Sequence, residues 1–593
     1  MIMTRHYLKL RQIYAHAAEF EPLEVRLDEL ADGLECTPRN VIMVLKRMGE
    51  SGWLEWKPRR GRGNRSTLTF IKPVEDMALR AAQQLVEKKD LKGALEQIQS
   101  PLLPTTLKET FHDWLYSYFG YTKESGTGIQ IDSLRFPMSQ PIYTLDPIHI
   151  NYASESHLVS QLFDSLVRRQ PLTGEIEPHL AHAWETNRSR TEWTFYLRKG
   201  ILFHHGREMK AQDAAYSLNR LRGLEEKSLY RWIYNNIEEA VAADPTTLTV
   251  RLKEANELFL PWLCTNRASV VPEDVCEQPG DSFERMPVGT GPFKLTRNDH
   301  TMCTLEAFPF YFQGRAHLDR VEIWKLPNLN DPLRYDKLDS FQIIHNFRLP
   351  DTAAANDWNQ VKHQGTTCKF VTWNMLKTGP LSNTDLRKAF FSAVNRNRIL
   401  DSLAGDVIYP ADGFLHKSGD SYGDFDPAES IKNLQQAGYE GETLALCTIP
   451  QYEKDAELFA SVCREVGLNV EVTLLPLERF KGEDRLHYDL ILFSIMLDSD
   501  TELRLIDLYQ SISQHSTGEI AELLDDKIRE VTSEPSTGHR TKLLLEVEKH
   551  LKAYNVVLFL YQKHLKTVYH PSVKGISLDS LEWVQFKDIW FKP

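Results

Sequence analysis

Apolar residues recur at helical spacing through the first 120 positions, and at mixed helical and strand spacing beyond them. Tyr7, Leu8, Leu10, Ile13 and Tyr14 share one face of a first helix. Leu27, Leu30, Ala31 and Leu34 recur at i, i+3, i+4 and i+7 and predict a second, short helix. A turn follows at Glu35 and Cys36. Thr37 then stands where an N-cap hydroxyl is wanted, and Pro38 takes the first helical position, where a missing N–H costs nothing. Val41, Val44, Leu45 and Met48 form the inner face of a third helix, with Arg39, Asn40, Met43, Lys46 and Arg47 outward. Gly49 or Gly52 can end it. Two short strands, 53–56 and 66–71, flank a Gly/Pro-rich loop.

Helix, turn, helix and hairpin in this order predict a winged helix-turn-helix over residues 1–73. Charge sharpens the picture. Between Trp56 and Lys72 the chain places Lys57, Arg59, Arg60, Arg62, Arg65 and Lys72 without an acid among them. Guanidinium forks match phosphate oxygens, and the loop's glycines let a backbone approach a nucleic-acid strand. On the third helix, Arg can pair with guanine and Asn with adenine in a major groove. Double-stranded DNA is therefore the expected partner of the head. Its candidate contacts are Thr37, Arg39, Asn40, Lys46, Arg47, Lys57, Arg59, Arg60, Arg62 and Arg65; the plain alternative is an ordinary solvated surface.

The chain has 593 residues, 42% apolar and 26% charged, which suits several globular domains. Net charge is −12, yet residues 1–73 carry 13 Lys/Arg against 9 Asp/Glu, a basic head on an acidic remainder. The seven cysteines are scattered with no C-x-x-C pair, which argues against a disulfide scaffold or a zinc site and fits a reducing compartment. The first residues have no apolar core of a signal peptide, and no stretch of about 18 apolar residues occurs, so a cytoplasmic location without a membrane span is expected.

After Pro73, a helical pattern over 76–99 and another over 107–119 predict a connector, with 123–128 as a polar linker. The body from 129 mixes strands (192–198, 247–252, 469–474, 488–493) with helices (210–221, 385–403, 456–466), an α/β pattern. No G-x-S-x-G, H-E-x-x-H or paired Cys/His signature is present, so no enzyme activity and no cofactor are expected. The run Gly289-Thr290-Gly291-Pro292 lacks the G-x-x-x-x-G-K-[ST] phosphate loop, and the adjacent His204 and His205 do not share a face for a metal.

Several segments of the body carry a family likeness: LFDSLVRR, GEIEPHLAHAWE, WTFYLRKGILFHHG and KAQDAAYSLNRL within 144–221, then PVGTGPFKL at 287–295. WNMLKTGPLSNTDLRKAFFSAVNR at 373–396, LQQAGY at 434–439, YDLILFSIMLDSD at 488–500 and NVVLFLYQKHLKTVYHPSVKGI at 555–576 continue the series. In this order they resemble the oligopeptide/nickel-type solute-binding proteins of family 5. Joined to a winged head, the whole resembles the SgrR family of transcriptional regulators. The resemblance implies a multidomain α/β chain: a winged helix-turn-helix (1–73), a helical connector and linker (74–128), and a two-lobed periplasmic-binding-protein-like body of type II, peptide-binding class (129–593, second lobe about 370–550). It implies a cytoplasmic one-component regulator that senses a peptide, sugar or sugar phosphate in its cleft; the alternative is a receptor of an ABC-type peptide uptake system with an extension that does not bind DNA. It also marks ligand candidates: Asp498, or Asp500, where peptide-binding relatives anchor an amine, and Trp373 and Asn374 at the entry to the second lobe. Arg334 or Arg348 would suit an anionic ligand. The oligomeric state stays open, with a homo-oligomer as one expectation.

Overall fold

In a computed structural model the chain is described over residues 2–592, apart from 60–64, 100–102, 126–129, 139–140, 171–172, 223–229, 279, 281, 327–342, 346–357, 404–406, 416–424, 499 and 579–582. The head forms α1 (Ile2–Ile13), β1 (Pro22–Val25), α2 (Leu27–Leu34), α3 (Pro38–Glu50), β2 (Leu54–Lys57) and β3 (Ser66–Phe70). Its sheet runs β1-β3-β2, all antiparallel. The strand β1 has too few alternating apolar positions to stand out in the sequence; it is held by pairing with β3. The core of the head is the expected one: Tyr7, Leu10, Leu30, Leu34, Val41, Leu45 and Met48 are buried together with Leu54, Leu68 and Phe70. At Gly33 the end of the Ile13 side chain lies over α2, where a Cβ would meet its terminal methyl at 2.5 Å.

The connector is α4 (Val74–Glu87), α5 (Leu91–Ile98) and α6 (Thr105–Tyr118). The single helix expected over 76–99 is broken at Lys89, whose φ is 63°, and restarts where the Asp90 carboxylate accepts the Gly93 N–H at 3.0 Å. The expected linker at 123–128 is replaced over its described part by a strand. β4 (Gly120–Ser125) pairs antiparallel with β5 (Gln130–Met138) and is the edge of a five-stranded sheet. The polar Lys123-Glu124 sequence that suggests a linker fits an edge strand equally well, with Glu124 bonded to Arg135.

The body has two lobes. The first holds that five-stranded sheet, in which Arg320–Lys325 runs parallel to β5, and a four-stranded antiparallel sheet that includes Glu192–Leu197 and Thr247–Leu252. The second is built on a sheet containing Leu444–Thr448, Val470–Leu474 and Leu490–Leu497. Two long strands, Asn359–Trp373 and Val557–Tyr569, run antiparallel through that sheet and carry its edge toward the first lobe. The helix expected over 385–403 is two helices, Thr384–Ala393 and Arg396–Ser402. They are separated where Asn395 caps the second by accepting the Arg398 N–H.

Connector and body share one apolar seam. Ala82, Val86, Leu91, Ala94, Ile98, Phe111, Leu115, Tyr116 and Phe119 pack with Met302, Trp324 and Leu326 of the first-lobe sheet, and with Trp358 and Val568 at the roots of the two long strands. Lys89 of the connector pairs with the fully buried Glu322, which Arg135 also approaches at 3.5 Å. In turn, α4 packs on α1, and Met77 joins the core of the head. Head, connector and first lobe are thus one continuous packed body.

Candidate functional site

Two surfaces qualify. On the head, Thr37 Oγ1 accepts the Asn40 N–H at 3.4 Å and Pro38 opens α3. Ser51 closes the helix, and Gly52 takes the left-handed turn (φ 69°) that leads into β2. Because Val41, Leu45 and Met48 turn inward, Arg39, Asn40, Lys46 and Arg47 stand in solvent. Met43 lies at the centre of the same outward face and is 52% exposed, with Ile42 beside it at 45%. The sequence pattern puts Met43 outward without a role; an apolar side chain amid cations is the signal it carries. Lys57, Arg59 and Arg65 are exposed at the base of the hairpin loop, close by Glu55 and Glu24, which reach Lys57 and Arg65 at 2.9 and 3.9 Å. Arg60 and Arg62 lie outside the described residues.

The second surface is a cleft of about 1040 Å³ between the lobes. The first lobe contributes Tyr152, Trp232 and Arg267, and the second contributes Lys369, Tyr452, Phe480, Lys481, Arg485, Phe493 and Asp507. Bonds cross it in a closed arrangement. Lys481 Nζ donates to Asn151 Oδ1 at 2.8 Å, and the Asp507 carboxylate accepts the Tyr230 N–H at 3.1 Å and the Trp232 indole N–H at 2.9 Å. Arg169 and Asp500 face each other at 3.7 Å. Lys369 pairs with Asp455 at 3.1 Å and lies over the Tyr452 ring. Burial pushes the Lys369 ammonium down to about 8 despite Asp455, and pushes the Asp507 carboxyl up to about 6. Burial likewise holds His515, bonded to Thr372 Oγ1, down at about 3, so it is neutral.

Of the ligand residues expected from sequence, Asp500 lines this cleft, opposite Arg169, whereas Trp373, Asn374 and Asp498 do not. Trp373 is fully buried; its indole N–H donates to Asn555 O at 2.7 Å, and its ring packs on Phe390 at 5.0 Å. The Asn374 amide donates to Leu486 O and Tyr488 O, and its oxygen accepts the Leu376 and Lys377 N–H groups, so it locks a strand end. Asp498 is bound two-pronged by Arg504, at 3.0 and 2.8 Å, behind the wall that Asp500 and Arg504 line. Arg334 and Arg348 lie outside the described residues. The Gly289–Gly291 turn is structural: a Cβ at Gly289 would meet Leu162 O at 2.0 Å, and His204, pushed down to about 4 by burial, holds the turn through Gly291 O and the Gly289 N–H.

Comparison with known proteins finds matches to both parts of the chain. Residues 175–515 match the family described as bacterial extracellular solute-binding proteins, family 5 Middle, and residues 3–117 match the one described as sugar transport-related sRNA regulator N-term. The chain belongs to the family 5 solute-binding proteins, in the SgrR-type branch that carries this N-terminal domain. The uncharacterized protein YhjP of Bacillus subtilis is 28% identical over 602 residues, covering 100% of both chains. The HTH-type transcriptional regulator SgrR of Yersinia enterocolitica is 27% identical, covering 96% of each. Among solved structures, the periplasmic binding protein DppA of Helicobacter pylori, in complex with peptide STSA, superposes with a TM-score of 0.66 at 19% identity. It covers 78% of this chain and 98% of its own. NikA of Brucella suis, in complex with Fe(III)-EDTA, gives 0.65 at 19% identity, covering 78% and 100%. These likenesses establish the two-lobed fold of the SgrR-type body. Among the described residues, no helix is long and apolar enough to cross a membrane.

Proposed function

We propose that this SgrR-type chain is a cytoplasmic one-component transcription regulator. Its winged head binds double-stranded DNA, and a small solute in the interlobe cleft shifts the population between DNA-competent and incompetent states. It is a sensor, not an enzyme. The observation that carries the reading is the seam at Trp324. It joins the connector, against which the head packs through α1 and Met77, to the first lobe and to the roots of the two long strands. A solute that binds the closed form better moves the second lobe relative to a head fixed on the first, which is the differential interaction such a shift requires.

On this reading Arg39 and Asn40 read base edges, Met43 rests on thymine methyl groups, and Lys46, Arg47, Lys57, Arg59 and Arg65 meet phosphates; the exposure of all eight supports it. The test is fluorescence anisotropy of the full chain on DNA upstream of its own and neighbouring genes, against competitor DNA. Sequence-specific binding is expected. Replacing Lys57, Arg59 and Arg65 with Ala should weaken binding on all sequences and flatten its salt dependence by about 0.9 for each phosphate that is no longer neutralised. Binding no tighter than to competitor would leave a solute receptor whose head does not act on DNA.

A further inference from the structure

Lys369, Lys481 and Lys563 line the cleft, and their amines meet different groups. Lys481 Nζ donates to the amide oxygen of Asn151, which neither takes up nor gives back a proton. Lys369 stands on the long strand Asn359–Trp373. Its Nζ lies 3.1 Å from Asp455 Oδ2 and 3.0 Å from the centre of the Tyr452 ring. That ring is fixed by Ser494, whose hydroxyl donates to the Tyr452 oxygen at 2.7 Å. The other oxygen of Asp455 accepts the hydroxyl of Tyr561, which is the strand partner of Lys369. Amine, carboxylate and phenol thus form one chain on the second-lobe wall.

A buried ion pair adds little net stability, because desolvation offsets the attraction. This one stands on the wall of a cavity, where an amine beside a proton acceptor has a chemical use. The groups that face Lys369 are Asp455, Tyr452, Tyr561 and Lys563. Burial, opposed by Asp455 and aided by Lys563, pushes its ammonium down to about 8. At pH 7 its neutral share is therefore roughly 300-fold that of an ordinary lysine.

Resting on the sensing reading above, we propose that Lys369 captures a solute bearing an aldehyde or ketone group as a reversible imine, with Asp455 carrying the proton. Asp455 takes a proton from the ammonium. The Nζ lone pair then adds to the carbonyl carbon, the C=O π pair moves to oxygen, and a proton passes from nitrogen to that oxygen. Asp455 returns its proton to the new hydroxyl, water leaves, and the nitrogen lone pair closes the C=N bond. The products are a protonated imine and one water, with the charge unchanged and nothing oxidised or reduced. The imine keeps the ammonium's place against Asp455 and over the Tyr452 ring. Closed lobes keep water from hydrolysing it.

The test incubates the full chain at pH 7 with limiting acetaldehyde, reduces imines with sodium cyanoborohydride and maps the label by peptide mass spectrometry. Lys369 should carry at least about tenfold more label than exposed lysines such as Lys574, and unfolding in urea should abolish the preference. The ratio of Lys369 label to Lys574 label should fall about tenfold per pH unit above about 8. A second sample replaces acetaldehyde with the low-molecular-weight fraction of a bacterial lysate, and the mass added at Lys369 identifies the solute that the chain retains. Label that follows exposure, or that concentrates at Lys481 or Lys563, overturns the capture and leaves the sensing reading standing. An adduct from acetaldehyde but none from the lysate also overturns it, leaving only a reactive amine. An adduct from the lysate that leaves DNA affinity unchanged upholds the capture and overturns the sensing reading.

Discussion

On the head, cations stand in solvent on elements that follow one another between Thr37 and Arg65. In the cleft, Arg267, Lys369, Lys481 and Arg485 come from segments separated by up to about two hundred residues and are wrapped in carbonyls, rings and paired acids. The first arrangement keeps charge hydrated until a polyanion arrives, so its strength depends on salt. The second holds its charges largely buried, so the protonation of Lys369 depends on the surroundings as well as on pH. On the proposed reading, a regulator has reason to keep both: a loose, long-range surface for DNA and a more buried, short-range one for a solute. Between them lies the apolar seam at Trp324, beside which Lys89 pairs with the buried Glu322.

The largest effect that separates the two regions is expected at that seam. Trp324→Ala removes a fully buried ring that touches both Tyr118 and Phe119 of the connector's end, and should cost about 3–5 kcal/mol. Denaturant unfolding followed by head and body probes should then split into separate transitions. A single unshifted transition would show that the regions are joined elsewhere.

Next comes Arg39→Ala, expected to weaken specific DNA binding by about 1–3 kcal/mol while leaving the melting temperature and the retained solute unchanged, measured by anisotropy and thermal shift. An equal weakening on random DNA would make Arg39 a phosphate-binding residue. Thr37→Ala should destabilise the head by about 1 kcal/mol through removal of the cap, read by calorimetry, with the cleft unaffected.

The smallest effect concerns pH. Because Lys369 titrates near 8 in the folded chain against its usual 10.5, the unfolded chain holds more protons between those values. Wild-type stability relative to Lys369→Met should therefore rise as pH climbs from about 8 to about 10.5. A flat difference would mean that Asp455 cancels the cost of burial.

The sequence is informative where structure is local. The cap at Thr37, the Val41–Leu45–Met48 stripe and the Ser66–Phe70 strand follow from spacings within a few residues, and the structure places them together. It is silent where partners are distant. Trp373 and Asn374 carry side chains suited to a ligand, yet the fold spends them on Asn555 O and on the Leu486 and Tyr488 carbonyls, more than a hundred residues away. Asp498 is consumed by Arg504, six residues on, a pairing that helix geometry after Thr501 permits but spacing alone does not demand. Lys481 shows the converse: a lysine with no distinguishing neighbours, at the end of a five-residue helix, becomes a cleft residue because Asn151 lies opposite it. Residues 123–128 suggest a linker where the fold puts an edge strand, because polarity marks both alike.

The measurement that bears most directly on the account is the affinity of the full chain for its specific DNA, by anisotropy, with and without saturating amounts of the solute it retains. Coupling predicts a change of roughly 5- to 150-fold, and the same factor in solute affinity when DNA is saturating. Identical DNA affinity in both conditions, with solute binding confirmed in the same tube, would contradict it.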